Sequence, residues 1–358
     1  MTSGLRPSEM PTANARNGNS GILVVNPLGV ALHHYTEALM QQLADAGISV
    51  ELFSIVEPSQ SGKGRLKWLT DYSALLYSAG RRTRKQDSPG KVLVTWPVLG
   101  FLDLLLVKLF CGNSGVIVYH DPRPLVRSVG SSGAIAALIR LLRQRPGTLV
   151  HSMDAGRAMD AVGLSEDLAV VPHPMLRPAD SGYEPARTRR DGARPRVRVL
   201  GQYKADRDLD LLKLLAGRLG PTYDLDIVGR GWPAIPGWKV DARFVPEDEL
   251  DELIATSDAI VIPYKRFYQS GIAIRALEQA VPVVGRVQTS LSDLYGPESR
   301  LLVAAGDESP IVEVEAWASA IEYALGEGRA ETIQAARQFH TESSKSWASL
   351  GRMLLSKE

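Results

Sequence analysis

The chain has 358 residues, 44% of them hydrophobic and 23% charged, which is too much for one ordinary core and fits two domains of a globular protein. Its net charge of +1 gives no case for a nucleic-acid partner, and its single cysteine, Cys111, excludes an intramolecular disulfide and any multi-cysteine metal site. Lys and Arg outnumber Asp and Glu up to Arg177 and are outnumbered beyond it, so the two halves are expected to face different partners.

Residues 1–20 are polar, rich in Ser, Asn and Pro, without an apolar run that could serve as a signal peptide. They are expected to be a disordered tail on a cytoplasmic protein. Short β-rich runs then alternate with amphipathic stretches. Strands are predicted at Ile22–Asn26, Ser49–Phe53, Val92–Thr95, Val116–His120, Thr148–His151 and Ala169–Val171, with helices such as Leu32–Ala46 and Ile135–Arg143 between them. This is the pattern of a doubly wound parallel sheet.

Within this half, "GKGRLKWLTDYSALLYSAGRRTRK" interleaves basic residues with Leu66, Trp68, Leu69, Leu75, Leu76 and Tyr77. Such a stretch suits docking on an anionic membrane surface, here the inner face of the plasma membrane, and equally suits an amphipathic helix with a solvated charged face. The most apolar region, Val92–Phe110, is broken by Pro97, Gly100, Asp103 and Lys108, which predicts a buried strand and helix rather than a span.

The Pro-, Gly- and Arg-rich residues 176–196 read as a linker between a first domain at 21–175 and a second at 197–335. In the second, strands are predicted at Val197–Leu200, Asp224–Val228, Ala259–Pro263 and Val283–Gly285, and helices at Leu209–Leu219, Glu247–Thr256, after Ser270 and near Val312–Leu325. A helical stretch, Ala330–Leu355, ends the chain.

Some phosphate chemistry is excluded directly. The loop after the first strand is "NPLGVALHHY", without Gly-x-Gly-x-x-Gly, and no strand is followed by Gly-Lys-Ser/Thr, so neither a dinucleotide fingerprint nor an ATP phosphate loop is present. The pairs Asp208/Asp210 and Asp224/Asp226 have the Asp-x-Asp spacing of a metal site, but their context argues for structural roles and no metal is expected. In "YQSGIAIRALEQAVPVVG" a polar Ser-Gly step opens a helix, where Ser270 can cap its own helix or the free N–H groups can hold an anion.

The segments "VRVLGQYKADRDLDLL", "YDLDIVGRG" and "FVPEDELDELIATSDAIVIPYKRFYQSGIAIRALEQAVPVVG", in this order and spacing, resemble the nucleotide-binding domain of family-4-type GT-B glycosyltransferases. The front half, through "NPLGVALHHY", "YHDPRP" and "VHSMDAGR", is similar to that fold's acceptor domain. The resemblance implies an α/β GT-B fold: two Rossmann-like domains facing a cleft, with the last helix, 336–358, crossing back to the first. It further implies a hexosyltransferase that takes a nucleoside diphosphate sugar as donor and a glycan or lipid-linked glycan as acceptor, with retention of configuration and without cofactor or metal. A nucleotide-sugar epimerase of the same fold, or a non-catalytic nucleotide-sugar-binding protein, would share these segments.

The resemblance also implies a set of site residues. The donor diphosphate falls to Ser270 and Gly271 and to Lys204 or Arg207, because the family's Gly-Arg...Lys pattern lands on Gly201-Gln202...Arg207 without a gap and on Lys204 with one. Gly201, Gln202, Gly229, Arg230 and Val245 would edge the nucleotide. The family's ribose-binding Glu falls on Arg275, with Glu278 one turn further on. Both are nucleotide-binding candidates, against a surface pair at i, i+3. His120, the catalytic candidate, would sit against the donor sugar and steady it or assist proton movement, and Gly29, His33, His34 and Asp121 would form the acceptor side.

Overall fold

The structure is a computed structural model that describes residues 21–85, 90–123, 130–142, 144–178, 193–304 and 309–356. The expected tail at 1–20 and most of the expected linker, 179–192, lie outside the described residues.

Two six-stranded sheets form, every pairing parallel. The front sheet contains β1 (Gly21–Asn26), β2 (Ser49–Ser54), β3 (Lys91–Val94), β4 (Gly115–Val118), β5 (Gly147–Val150) and β6 (Leu168–Val170), in the order β2-β1-β3-β4-β5-β6. The back sheet contains β7 (Arg196–Leu200), β8 (Asp224–Val228), β9 (Lys239–Asp241), β10 (Ala259–Ile262), β11 (Val283–Arg286) and β12 (Leu302–Val303), in the order β12-β11-β10-β7-β8-β9. The short edge strands β9 and β12 are the ones sequence reading did not predict.

Strands β1, β4 and β10 are buried at every position. Helices on both faces leave no room for polar alternation, so these strands read as continuous apolar runs. On the back sheet, Leu211, Leu215 and Leu219 recur every fourth residue along the helix Leu209–Leu219 and pack with Trp317 and Ile321. The opposite face is covered by Ile254, Ala273 and Ala276.

The helix Arg65–Lys85 buries Tyr72, Leu76 and Ala79, and its Trp68 indole donates a hydrogen bond to the Pro27 carbonyl at 3.0 Å. Leu66 and Tyr77 stay exposed. Of the apolar residues that suggested membrane docking, Leu76 is buried and Trp68, Leu69 and Leu75 are partly buried. Among the described residues no helix is long and apolar enough to cross a membrane.

The final helix, Gly328–Ser356, serves both halves. Its Phe339 packs with Ile274, Leu277 and Met175, while Trp347 and Leu350 join Leu39, Leu43 and Ile48 in the front core. The Trp347 indole N–H donates to the Pro172 carbonyl at 3.0 Å, and the Gln42 amide donates to the Met175 carbonyl at 2.8 Å. The strap Pro172–Met175 is thus held by side chains from two helices.

Candidate functional site

In the back sheet the chain leaves β7 for β8 and β9 and returns on β7's other side as β10. Connections from two neighbouring strands then diverge, and a crevice opens at their carboxyl ends. A cavity of about 250 Å³ lies there, lined by Gly201, Gln202, Lys204, Arg207, Ser270 and Gly271, with Trp96, His120 and Asp121 of the front half opposite. Tyr264, Phe267 and Tyr268 complete that wall. Another cavity, of about 190 Å³, opens at the strands' amino ends beside Arg194, Asp258 and Pro282 and has no part in the cleft.

Arg207 dominates the electrostatics. Its guanidinium lies 4.6 Å from the ring centroids of both Trp232 and Tyr264, and Nη2 donates to the Leu200 carbonyl at 2.9 Å. The residue is 6% exposed, its Nε has no partner, and no carboxylate pairs with it among the described residues. Burial lowers its pKa, yet a guanidinium keeps its charge at any ordinary pH. A desolvated cation without a counterion is costly, and an anion entering the cleft offsets that cost.

The helix Gly271–Glu278 starts at the same cavity. Ser270 Oγ accepts from the Ala273 N–H at 3.2 Å, so the serine does cap its helix. The N–H groups of Gly271 and Ile272 have no intrahelical acceptor, and the positive end of the helix dipole lies behind them. Lys204 is exposed at the rim. Gly201 has φ +90°, and a Cβ there would press on Ile272 and the Arg207 guanidinium, so glycine is required for the close approach.

Across the cleft, His120 stacks on Trp96 with ring centroids 5.3 Å apart. Its Nε2 lies 2.9 Å from the Thr95 carbonyl. A carbonyl only accepts, so Nε2 carries the proton and the buried, unpartnered Nδ1 is left as an acceptor. Burial pushes the imidazole pKa down to about 4. The ring is therefore neutral at pH 7, a weak base but an adequate hydrogen-bond acceptor.

Behind His120 lie His151 and His173, all three rings around Tyr35. His151 donates from Nδ1 to the Val171 carbonyl at 2.9 Å and accepts the Tyr35 hydroxyl at Nε2 at 3.0 Å. His173 Nδ1 donates to the Pro174 carbonyl at 2.6 Å. Burial pushes His173 down to about 3 and His151 well below the usual imidazole range.

A histidine whose pKa falls on folding binds fewer protons in the native state between its native and unfolded pKa values, so stability is lost as pH falls through that window. Asp103, raised by burial to about 7, and Asp293, raised by burial to about 6, act in the opposite sense. With three imidazoles against two carboxyls, the thermal midpoint is expected to rise between pH 4 and 6.5. A midpoint that falls with rising pH through this window would show that the two acids dominate.

Several candidate residues are placed elsewhere than expected. Arg275 and Glu278 do not form a surface pair, because both are buried and they point to different partners. Arg275 is bound by Glu247 at 3.0 Å and Asp251 at 2.7 Å on the neighbouring helix Glu247–Ala255. Glu278 accepts from the Leu176 N–H at 2.7 Å and lies 2.7 Å from His34 Nε2, so both are occupied in holding helices together. His34 is therefore a contact between the halves, while His33 is exposed near Glu37.

Gly29 does not reach the cavity either. It packs on Ser54 and Ile55, and the adjacent N–H groups of Val30 and Ala31 bind the Glu57 carboxylate at 3.2 and 3.0 Å. Gly229 backs the Gly201 carbonyl, Arg230 reaches Gln202 at 3.4 Å, and the partly buried Val245 packs against the core. Three of the four Asp-x-Asp carboxylates are occupied: Asp208 caps the Leu211 N–H at 3.1 Å and pairs with Arg286 at 3.3 Å, and Asp210 meets Lys213 at 2.8 Å. Asp226 lies 3.5 Å from Arg198. Among the described residues no group of three His, Cys, Asp or Glu side chains could hold a metal ion.

Sequence reasoning missed Trp96, Trp232, Tyr264 and Phe267. A usable signal existed for Trp96 and Tyr264, which follow the carboxyl ends of predicted strands.

Solved structures share this architecture. The α,α-trehalose-phosphate synthase (UDP-forming) of Burkholderia vietnamiensis is similar over 94% of this chain and 99% of its own, with a TM-score of 0.61 and 12% identity. A structure of trehalose-6-phosphate from E. coli bound with UDP-2-fluoro glucose matches 94% of this chain and 100% of its own, with a TM-score of 0.61 and 11% identity. The Burkholderia xenovorans synthase in complex with glucose-6-phosphate matches 94% and 100%, with a TM-score of 0.59 and 10% identity. No family model and no curated protein matches the sequence. The fold is the two-domain GT-B architecture that the sequence resembles. It places a cation-lined cavity between two parallel sheets.

Proposed function

We propose that the chain transfers a hexosyl group from a nucleoside diphosphate sugar to a glycan or lipid-linked glycan hydroxyl. The observation that carries this reading is Arg207, a buried guanidinium without a counterion, set beside a helix start at the switch point of the back sheet. Structures of this fold include a UDP-forming synthase and one bound with UDP-2-fluoro glucose, which supports the donor class.

In the reaction the bond from the anomeric carbon to the diphosphate oxygen breaks and its electron pair stays on the diphosphate. Arg207, Lys204 and the N–H groups of Gly271 and Ile272 face that growing charge, and stabilising it lowers the barrier. The acceptor oxygen bonds to the anomeric carbon and passes its proton to the departing diphosphate oxygen, which holds the electron pair of the broken bond. His120 Nδ1 accepts a hydrogen bond from a donor-sugar hydroxyl and fixes the ring against Trp96. Retention of configuration and independence of metal are carried over from the resemblance as parts of the same proposal.

Isothermal titration with UDP-, GDP- and ADP-sugars is expected to show binding of at least one, and binding of none would sink the reading. His120→Ala is expected to keep nucleoside diphosphate affinity and to lower turnover by about ten- to a hundred-fold, the value of one buried hydrogen bond with its orphaned partner. Unchanged turnover would remove His120 from the site.

A further inference from the structure

A second cavity, of about 320 Å³, opens from the same cleft and shares Phe267 and Tyr268 with the first. Its wall carries three guanidiniums: Arg123 and Arg157 from the front half and Arg266 from the back. Asp154 is the carboxylate in that wall and is already paired with Arg157 on its own helix, Met153–Asp160. Behind it, burial and the Asp154 charge push the Asp293 carboxyl up to about 6. Arg266 lies 5.6 Å over the Tyr268 ring, and its nearest carboxylate partner, Asp206, is 3.9 Å away. Arg123 is exposed and has no ion-pair partner among the described residues.

Among the residues that line the cavity, three guanidiniums and one carboxylate surround an aromatic floor. Aromatic faces suit the apolar face of a sugar ring, and guanidinium forks suit phosphate oxygens. The two cavities meet at Phe267 and Tyr268, so a group seated in the second would extend toward a donor seated in the first.

We propose that this second cavity binds the acceptor through a phosphate ester, with Arg123 and Arg266 closing on the phosphate from the two halves of the molecule. The assignment rests on the glycosyltransferase reading and narrows it: the acceptor carries a phosphate ester, whether on a free sugar or on a lipid. Arg157 contributes less, being shared with Asp154.

The test is titration of the full chain with glucose 6-phosphate, with glucose, and with a polyprenyl phosphate in detergent micelles, in each case with UDP measured on the same preparation. At least one phosphorylated probe is expected to bind ten-fold or more tightly than glucose, and the arm that does so identifies the source. The double variant Arg123→Gln, Arg266→Gln changes exposed side chains, so its fold should persist. It is expected to lose that preference while its UDP affinity stays within about two-fold. Equal binding of glucose and both phosphates by the wild type, or an undiminished preference in the variant, would overturn the proposal. Loss of UDP binding alone, with the phosphate preference intact, would instead strike the donor reading and leave this site standing.

Discussion

Arg207→Met is expected to weaken nucleotide-sugar binding by about 1.5–3 kcal/mol, the value of charge-assisted hydrogen bonds to an anion, or roughly ten- to a hundred-fold in affinity. Methionine keeps much of the volume between Trp232 and Tyr264 and removes the charge. The apo protein should lose little stability, because the arginine is desolvated without a counterion and an apolar replacement avoids that cost. Calorimetric titration and thermal unfolding separate the two effects. A variant that binds donor as tightly as wild type would remove Arg207 from the diphosphate site, whereas a collapse in stability would assign it to the core.

Gly229→Ala is expected to destabilise the back domain by about 2–4 kcal/mol. The added Cβ would run into the Gly201 carbonyl oxygen, a backbone atom that cannot move without shifting the turn after β7. Gly201's own N–H is bonded to the Val228 carbonyl at 3.0 Å and its carbonyl accepts from the Trp232 indole at 2.8 Å. The strain would therefore spread to the Arg207 stack, and donor affinity should fall along with stability. Gly271→Ala serves as the control, since a Cβ there meets nothing within 4 Å. Urea denaturation of both variants checks the contrast, and equal stability would refute the close-approach argument.

The regular part of this molecule was legible in the sequence because periodicity is local. Uninterrupted apolar runs marked β1, β4 and β10, and four-residue Leu spacing marked the helix Leu209–Leu219. The Ser270-Gly271 step read as a cap or as an anion site; the structure shows the cap, with Ser270 Oγ accepting from the Ala273 N–H, and the anion belongs to the proposed function. Strands β9 and β12 went unseen because three and two residues are too short to display a period.

The long-range partners were not legible. Nothing near Arg275 points to Asp251, and nothing near Glu278 points to His34 at the far end of the chain, so an apparent i, i+3 pair proved to be two separate contacts. Likewise the aromatic enclosure of Arg207 joins Trp232 and Tyr264 from different loops. Only tertiary folding creates such a site.

The Glu278 contacts have a consequence for how the two sheets move. This carboxylate joins His34 of the first half to Leu176 at the start of the connection, on the same short helix whose opening turn borders the cleft cavity. Any swing of one lobe against the other must either carry that junction along as a pivot or tear it. The gape of the cleft and the tilt of the free amides at that helix start are thereby geared to one another.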